Sequence, residues 1–401
     1  MPSGSGAPRG FDRSLTVLIV VPTLEAGAAD RGAIELVGIL AAAGHRPLVV
    51  SRGGRLEAGV AAAGGEFLRL DVASKNPLTM LRSALALRRL VAARACDVVH
   101  ALGRVPAWSA YYASRVAGVP FLTTWYKGFR EQNLFKRLYN GIMARGDRVI
   151  AASEQIADLV HDRYSTPWRR LAVLPASVDG ARFDPLRVSD ARIEAVHRAW
   201  GVRPGTKVIL SVGRMTRRKG HHVVVEAARR LKELGLTDFV CVFAGEDPRG
   251  TYAGELWDQV LATDTADVVR LAGACDDRPA VYAAADVVVS AAVQPEGLQR
   301  AILEAQAMLR PVVVSDLGAG PEVVLAPPTV GEERMTGLRV PAGDAAALAG
   351  ALLRLFSMPA AIRRGIGERG RAWVLTHYNA AIVAEQTLGL YAEVTKDRLP
   401  R

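Results

Sequence analysis

Residues 294–322 constrain the fold more than any other part of the chain. A β-branched run at 287–289 precedes them, and such runs fill buried strands of parallel sheets. Residues 295–297 break the run, and apolar residues then recur at three- and four-residue spacing, which predicts a helix. Pro311 ends that helix, and the run 312–315 predicts another strand. The order of strand, acidic turn, helix and strand indicates an α/β fold with a parallel sheet.

The acidic turn carries Glu296, and Glu304 follows it eight residues later. A helix N-terminus offers unpaired N–H groups and the positive end of the helix dipole, which suit a phosphate. If one helix held both glutamates, roughly 12 Å of helix rise would separate them. Retaining glycosidases place their two carboxylates about 5 Å apart, so this pair does not flank one glycosidic bond. Two carboxylates at the wider separation suit the two ends of a nucleotide-sugar.

A basic turn lies about 80 residues before these glutamates. The apolar run 208–212 predicts a strand that ends at Gly213 and Arg214, and Lys219 begins the next helix. Taken alone, the turn could be an ordinary solvated strand end, and the glutamates could be two solvated residues of a surface helix.

Together, E-x7-E after a strand and G-R-x4-K-G before it resemble the family 4 retaining glycosyltransferases of the GT-B fold in both order and spacing. The resemblance implies an α/β protein with two Rossmann-like parallel-sheet domains facing a cleft. It also implies a C-terminal helix that crosses back to the first domain. The implied enzyme is a metal-independent glycosyltransferase of the hexosyltransferase type, which uses a nucleotide-sugar (UDP- or GDP-sugar) and no cofactor.

The resemblance gives roles to the matching residues. Arg214 and Lys219 would neutralise the charge that develops on the departing diphosphate, while Glu296 would orient the donor sugar, which makes these three the catalytic candidates. Glu304 would bind the ribose hydroxyls. Further donor-binding candidates are Gly213, Gly297, Leu298, Gln299, Arg300, Ala301 and Gly27, and the acceptor-side candidates are Arg104, Tyr126 and Lys127. No residue is expected to bind a metal, because His221 and His222 are adjacent and have no third ligand nearby.

Four positions depart from the family's pattern. Gln299 replaces a glycine beside the expected donor sugar, and Tyr126 replaces a histidine. Ala28 replaces the second glycine of the first loop, and Leu309 replaces a helix-ending glycine. A side chain at 299 either fills donor space or adds a hydrogen bond to the sugar. Because all the expected charged residues remain, we expect an active transferase with altered sugar or acceptor choice.

The domain boundary is expected near 190–204. The predicted parts are a flexible tail at 1–14, an acceptor-side domain at 15–190, a donor-binding domain at 191–377 and a returning helix at 378–401.

No apolar run reaches the roughly 20 residues of a membrane span, no secretory signal precedes the first strand, and the three cysteines are isolated. These features predict a cytoplasmic location.

The net charge of +11 suggests an acidic partner. Residues 72–96 contain five Lys or Arg and no acid, and the basic residues at 127–148 have the aromatic residues Trp125, Phe129 and Phe135 among them, all expected at the surface. This pattern favours an anionic membrane surface, at the inner face of the cytoplasmic membrane, and a lipid-linked or cell-envelope glycan acceptor of the lipopolysaccharide type. A solvated basic face is the simpler alternative for 72–96.

Three other functions stay open. A GT-B protein with impaired or no catalysis could act as the partner of an active transferase. An epimerase could use the same fold, because fold does not fix function. A nucleic-acid-binding protein would rest on charge alone, and the sequence contains no recognised nucleic-acid motif, so no nucleic-acid partner is expected.

Overall fold

The computed structural model describes residues 11, 13–25, 27–128, 133–247, 250–297 and 299–396. The chain forms two compact units, Met1–Pro175 with Val383–Arg401, and Ala176–Ile382. The division comes earlier than the expected boundary at 190, because Val178, Phe183 and Val188 are buried in the core of the second unit.

The first unit is built on a parallel sheet of seven strands in the order β3-β2-β1-β4-β5-β6-β7. Strand order reverses between the adjacent strands β1 and β4, which creates the switch point where open α/β sheets bind ligands. The strands are β1 (Thr16–Val20), β2 (Arg46–Ser51), β3 (Glu66–Arg69), β4 (Val98–Ala101), β5 (Phe121–Trp125), β6 (Arg148–Ala151) and β7 (Leu171–Val173).

Helices cover both faces of this sheet. Asn76 caps one of them by accepting from the backbone N–H groups of Leu78 and Thr79, and Ser153 caps another in the same way at Ile156. The helices are α1 (Ala28–Ala42), α2 (Glu57–Ala62), α3 (Pro77–Ala93), α4 (Arg104–Ala117), α5 (Leu134–Asn140) and α6 (Glu154–Tyr164).

Part of the expected flexible tail is ordered. Phe11 is buried with its ring edge-on to His45, and Arg13 forms an ion pair with Asp97. Residues 1–10 and 12 lie outside the described part of the chain.

The second unit holds a parallel sheet of six strands in the order β10-β9-β8-β11-β12-β13. Its switch point lies between the neighbours β8 and β11, where strand order reverses. Short β-branched runs form the central strands, as their sequences predict. The strands are β8 (Lys207–Val212), β9 (Phe239–Ala244), β10 (Val269–Gly273), β11 (Val287–Ser290), β12 (Val312–Ser315) and β13 (Gly337–Val340).

A helix follows each strand of the second unit, one further helix precedes the first strand, and one more comes after the helix that follows the last strand. These helices are α7 (Asp190–Trp200), α8 (His221–Glu233), α9 (Tyr252–Ala262), α10 (Arg278–Ala283), α11 (Arg300–Ala307), α12 (Gly320–Val323), α13 (Ala345–Ser357) and α14 (Ala360–His377). Glu296 precedes α11, so the expectation that one helix carries both glutamates is wrong. Leu309 follows the helix at φ +61°, in the left-handed region that favours glycine.

The last helix, α15 (Ala380–Lys396), returns to the first unit from Val383 onward, as the resemblance implies. Its Leu390, Tyr391 and Val394 are buried in the core beside β1. Tyr391 Oη lies 2.6 Å from Nδ1 of the buried His100 on β4, and Thr124 Oγ1 on β5 lies 2.8 Å from Nε2 of the same ring. This network ties the end of the chain to the centre of the first sheet.

Among the described residues, no single helix is long and apolar enough to cross a bilayer. Only α13 and α14 taken together, with a bend of 113° between them, have the length and the apolar composition.

Candidate active site

The basic turn that follows β8 lies at the switch point of the second sheet. Gly213 has φ +151°, and a Cβ there would lie 3.6 Å from Lys219 Cε, so the turn folds back on the lysine. Gly220, which separates the turn from α8, has φ +72°, and a Cβ there would meet the carbonyl oxygen of Ala291 at 1.7 Å. Only glycine allows the turn after β8 to approach the loop after β11 this closely.

The approach joins two cations to one carboxylate. Lys219 Nζ donates to Glu296 Oε2 at 2.5 Å, and Arg218 Nη2 lies 2.9 Å from Glu296 Oε1. The Glu296 side chain is 9% exposed, so its charge lies largely out of water and needs these partners. The structure therefore brings together two of the three catalytic candidates, 77 positions apart in the chain.

A second turn fixes the backbone of Glu296. The carbonyl of Glu296 accepts from the backbone N–H of Ala319 at 3.1 Å. Gly318 has φ +65°, and a Cβ there would lie 2.4 Å from the carbonyl oxygen of Glu296 and 2.7 Å from its nitrogen. The turn after β12 thus positions the glutamate, and it requires glycine both for its conformation and for its space.

Arg214, the third catalytic candidate, is exposed. It makes no ion pair with any residue that the structure describes, so Arg218 takes the position beside Glu296. Arg218 Nε is buried and has no hydrogen-bond partner within the described part of the chain. The second cation that contacts Glu296, beside the candidate Lys219, is therefore a residue that the G-R-x4-K-G pattern leaves unspecified.

Glu304 lies on α11 and is buried. Its Oε2 accepts from Tyr282 Oη at 2.8 Å and forms an ion pair with Arg278 Nη2. Burial raises the pKa of Glu304 above its ordinary value, and Arg278 and Tyr282 oppose that rise. Burial together with the neighbouring carboxylate raises the pKa of Tyr282 well above its ordinary value, so this tyrosine stays a neutral donor.

The other donor-binding candidates surround the start of α11. Gln299 is the N-cap residue, and its Oε1 accepts from Ser290 Oγ at 2.5 Å, which fixes the amide to the end of β11. Arg300 and Ala301 form the first turn of the helix, and both are half-buried, as is Gly297. Leu298 lies outside the described residues.

The first-unit candidates lie at the carboxyl ends of β1, β4 and β5. Gly27 precedes α1, and its N–H donates to the buried Asp30 Oδ2 at 2.8 Å. Tyr126 follows β5 and packs against the next turn of the same helix, where a Cβ on Gly32 would lie 2.1 Å from its hydroxyl oxygen. The structure thus brings Tyr126 close to the helix that Gly27 begins.

Arg104 and Lys127 occupy the neighbouring strand ends. Arg104 begins α4, and its Nη1 donates to Asn140 Oδ1 at 3.0 Å. Lys127 is exposed after β5. Trp125 was expected at the surface and is instead fully buried, with its indole N–H donating to the carbonyl of Met143 at 3.0 Å.

The two adjacent histidines have separate environments. His221 is buried edge-on to Phe243, and burial lowers its pKa to about 4. His222 Nδ1 lies 3.2 Å from Tyr252 Oη. Within the described ranges, no group of three or more His, Cys, Asp or Glu side chains is placed to hold a metal ion.

Known families match both units. Residues 206–358 match the family described as "Glycosyl transferases group 1", and residues 29–182 match "Glycosyltransferase Family 4". The chain belongs to the family 4 glycosyltransferases. A crystal structure of a glycosyltransferase from Rickettsia africae shares the fold of this glycosyltransferase, with a TM-score of 0.87 and 29% identity over 96% of this chain and 99% of that one.

Other relatives have more specific names. An alpha-D-kanosaminyltransferase from Streptomyces kanamyceticus is 27% identical over 79% of this glycosyltransferase and 81% of its own length. The next seven curated relatives are matched over 37% to 59% of their own lengths. Anabaena HepE, solved in complex with UDP-glucose, shows the same fold with a TM-score of 0.79 at 17% identity, over 94% of this chain and 100% of that one. The glycosyltransferase therefore has two parallel Rossmann-like sheets of the GT-B type.

Sequence reasoning missed three residues of this candidate site. Arg218 lies next to the candidate Lys219 and resembles its other neighbour, Arg217, in sequence. The turn directs the Arg218 side chain to Glu296 and the Arg217 side chain to Glu255. Arg278 and Tyr282 follow the loop after β10 at a spacing of four, which places them on one helix face. That spacing could have paired them with each other, but it gave no indication of Glu304.

Proposed function

We propose that this glycosyltransferase moves a hexosyl group from a UDP- or GDP-sugar to an acceptor with retention of anomeric configuration. The observation that carries the proposal is the contact of Lys219 and Arg218 with Glu296 at the switch point of the second sheet. Fixed cations at this position suit a diphosphate, which gains negative charge as the bond between its oxygen and the anomeric carbon of the donor sugar breaks. The proposal assigns this stabilisation to side chains and not to a metal ion.

The expected placement of the donor follows from the charges. Lys219 and Arg214, which precedes it in the same turn, would contact the diphosphate, and Glu296 would orient the sugar. Glu304 would accept from the ribose at the far end of α11. The first unit, with Gly27, Arg104, Tyr126 and Lys127 at its strand ends, would carry the acceptor side.

Gln299 is the residue most suited to alter sugar choice. Its Oε1 is held by Ser290, so its amide N–H groups are oriented by a fixed partner. A fixed donor beside the sugar favours a hydroxyl that can accept from it and disfavours an analogue without one. We infer that Gln299 selects the sugar and does not abolish donor binding.

The acceptor side of the proposal rests on exposed apolar side chains of three helices in the first unit. Leu78 and Leu81 project from α3, Tyr112 from α4, and Phe135 and Leu138 from α5, all of them exposed. Exposed basic residues on the same helices are Arg82, Arg88, Arg89, Arg115, Lys136 and Arg137. Apolar and cationic groups together suit peripheral binding to an anionic membrane, and a lipid-linked or envelope glycan would then be the acceptor.

Calorimetry with UDP, GDP and ADP, followed by turnover of the matching sugar nucleotides with membrane extract, tests the proposal. We expect one nucleoside diphosphate to bind and its sugar nucleotide to be consumed. Gln299→Gly should bind the same diphosphate but shift the preference among its sugars, and Ser290→Ala should shift it less. If no nucleotide binds, the chain is instead a non-catalytic partner of an active transferase.

A further inference from the structure

A cluster of polar and aromatic side chains lies where α4 begins and α5 ends, at the carboxyl edge of the first sheet. Arg104 is the first residue of α4 and Asn140 is the last residue of α5, and Arg104 Nη1 donates to Asn140 Oδ1 at 3.0 Å. Trp108 lies one turn after Arg104, and its indole N–H donates to the carbonyl of Tyr139 at 3.3 Å. Two hydrogen bonds therefore join the start of α4 to the end of α5.

Two polar atoms of this cluster are buried without a partner. Asn140 is 1% exposed, and its Nδ2 donates to no atom in the part of the chain that the structure describes. Tyr139 Oη is likewise buried and has no hydrogen-bond partner there. Burial raises the pKa of Tyr139 and the nearby Arg104 guanidinium opposes that rise. Folded proteins rarely leave such groups unpaired unless a ligand or water pairs with them.

The groups that meet in this cluster are mainly hydrogen-bond donors. Asn140 Oδ1 accepts from Arg104, which leaves the two N–H bonds of the amide beside the guanidinium. A guanidinium has N–H groups only, and the first turn of α4 contains no acidic residue. A neutral hydroxyl brings a hydrogen of its own, for which the cluster offers few acceptors. An oxyanion brings acceptors alone, so it can satisfy the donors and the positive charge together.

The cluster reaches the surface through its larger side chains. Arg104, Trp108 and Tyr139 are each half-buried, and the two aromatic rings lie 5.8 Å apart with 32° between their planes. Aromatic side chains supply apolar contact area in ligand sites, while a few polar groups fix the orientation of the ligand. A sugar that carries an acidic group offers a surface for the rings and an oxyanion for the donors.

We propose that Arg104, Tyr139 and Asn140 bind an anionic group of the acceptor, a phosphate or a carboxylate, while Trp108 packs against the sugar that carries it. This inference rests on the proposed function, because it takes the first unit as the acceptor side. It deepens that function by naming the chemistry of the acceptor, which is acidic. The net charge of +11 agrees with an acidic partner.

The first experiment observes Trp108 in the full chain labelled with 5-fluorotryptophan. The chain contains six tryptophans, and the spectrum of Trp108→Phe identifies the ¹⁹F resonance of Trp108. The titrants are glucose 6-phosphate, glucuronate and glucose at constant ionic strength. We expect a saturable shift of this resonance with the phosphate or the carboxylate sugar, and none with glucose.

The two anionic titrants distinguish the two sources of charge. A stronger response to glucose 6-phosphate indicates a phosphorylated acceptor, and a stronger response to glucuronate indicates an acceptor with a uronic acid. No response to either anion, or an equal response to glucose, would overturn the inference.

Two variants separate ligand binding from a purely structural contact between the helices. Asn140→Asp replaces the N–H donors with an acceptor that pairs with Arg104 and so takes the place of the anion. We expect it to bind the responding sugar about 10-fold more weakly or worse, the effect of losing a hydrogen bond to a charged acceptor. Tyr139→Phe, which removes an unpartnered hydroxyl, should bind that sugar about 10-fold more weakly without a lower unfolding temperature.

The matched control is Asn133→Asp, at the other end of α5. Asn133 caps this helix by accepting from the backbone N–H of Lys136, and aspartate is an equally good cap. The control makes the same change of charge on the same helix and should keep the wild-type affinity. Wild-type affinity in both Asn140→Asp and Tyr139→Phe would leave the cluster a structural role only and overturn the inference.

Calorimetry with UDP, GDP and ADP on the same samples tests the proposed function separately, because the diphosphate candidates lie in the second unit. Diphosphate binding without an anion response at Trp108 would overturn this inference alone. Failure of every diphosphate to bind would overturn the proposed function, and with it the identity of the anion as an acceptor.

Discussion

Lys219 Nζ lies 2.5 Å from Glu296 Oε2, so the cation expected on the donor's diphosphate is paired with the carboxylate expected on its sugar. A diphosphate carries more negative charge than one carboxylate and can compete for the lysine. Arg218, 2.9 Å from the other oxygen, can then stay with Glu296 and prevent an unpaired buried charge. The pair is thus suited to open when donor arrives, at low cost.

Lys219→Ala should lower turnover by about 100-fold or more, the loss seen when one preorganised donor to a developing charge is removed. Diphosphate affinity should fall as well, because the lysine contacts the ground state. The measurements are steady-state kinetics and calorimetry with UDP or GDP. Lys232→Ala on α8, the helix that follows the turn of Lys219, is the control; Lys232 pairs with Asp267, and the variant should behave as wild type. Unchanged binding and turnover in Lys219→Ala would refute the assignment of the site.

Arg218→Gln should lower turnover about 10-fold or more, because Glu296 would lose the partner that remains when Lys219 moves to the phosphate. Diphosphate affinity should change little, since the arginine contacts the carboxylate. The neighbour Arg217 is 75% exposed and pairs with Glu255, so Arg217→Gln is a matched control. Equal kinetic losses in the two variants would show only a general effect of charge.

Gly318→Ala should displace Glu296, because a Cβ would lie 2.4 Å from its carbonyl oxygen. We expect at least a 10-fold loss of turnover together with a lower unfolding temperature. Gly343 has φ +79° with open space around it, so Gly343→Ala should cost about 1 kcal/mol of stability and leave turnover intact. Full activity in Gly318→Ala would mean that the turn does not position the glutamate.

Stability should fall with acidification because of His100. Burial lowers the pKa of His100 from 6.5 to about 3. Below pH 6.5, His100 therefore binds a proton in the unfolded chain but stays neutral in the folded chain until the pH approaches 3. The stability of the neutral, folded form is therefore lost between about pH 6.5 and 3, by up to about 1.4 kcal/mol per pH unit. Urea unfolding at pH 7 and pH 5 should show a smaller difference for His100→Gln than for wild type.

The exposed His377 provides the control for this pH dependence. His377→Gln should retain the wild-type difference between the two pH values. His221, with its pKa lowered to about 4 by burial, should contribute to the dependence that remains in His100→Gln. An unaltered difference in His100→Gln would show that this histidine does not titrate as its burial implies.

Binding to anionic vesicles should depend on α5. Phe135 is 83% exposed beside Lys136 and Arg137, and each basic residue near such a surface can contribute roughly 1 kcal/mol. Phe135→Ser should reduce sedimentation with anionic vesicles, and added salt should weaken binding of the wild type. Leu186, 93% exposed in the second unit, gives the control Leu186→Ser. Equal sedimentation with anionic and neutral vesicles would exclude this surface. Phe129, also expected there, lies outside the described residues.

Local sequence determined the strands, the helices and the residues that a motif specifies. The run of three valines at 287–289 can only be satisfied by burial on both sides of a sheet, and the structure places it in the centre. Gly213, Lys219, Glu296 and Glu304 were found because their spacing along the chain is itself the signal. The resemblance to the family 4 glycosyltransferases likewise implied two parallel sheets, which the structure contains.

Tertiary structure decided which of these residues touch. Glu296 contacts Arg218 and Lys219 because the strand order places β8 beside β11. Glu304 contacts Arg278, which lies 26 positions earlier in the chain. No local pattern encodes such a pairing, since it depends on the order in which whole strands assemble. The burial of Trp125 has the same cause. Its position beside Tyr126 and Lys127 suggested an exposed side chain, but it ends an interior strand of the first sheet and is completely buried.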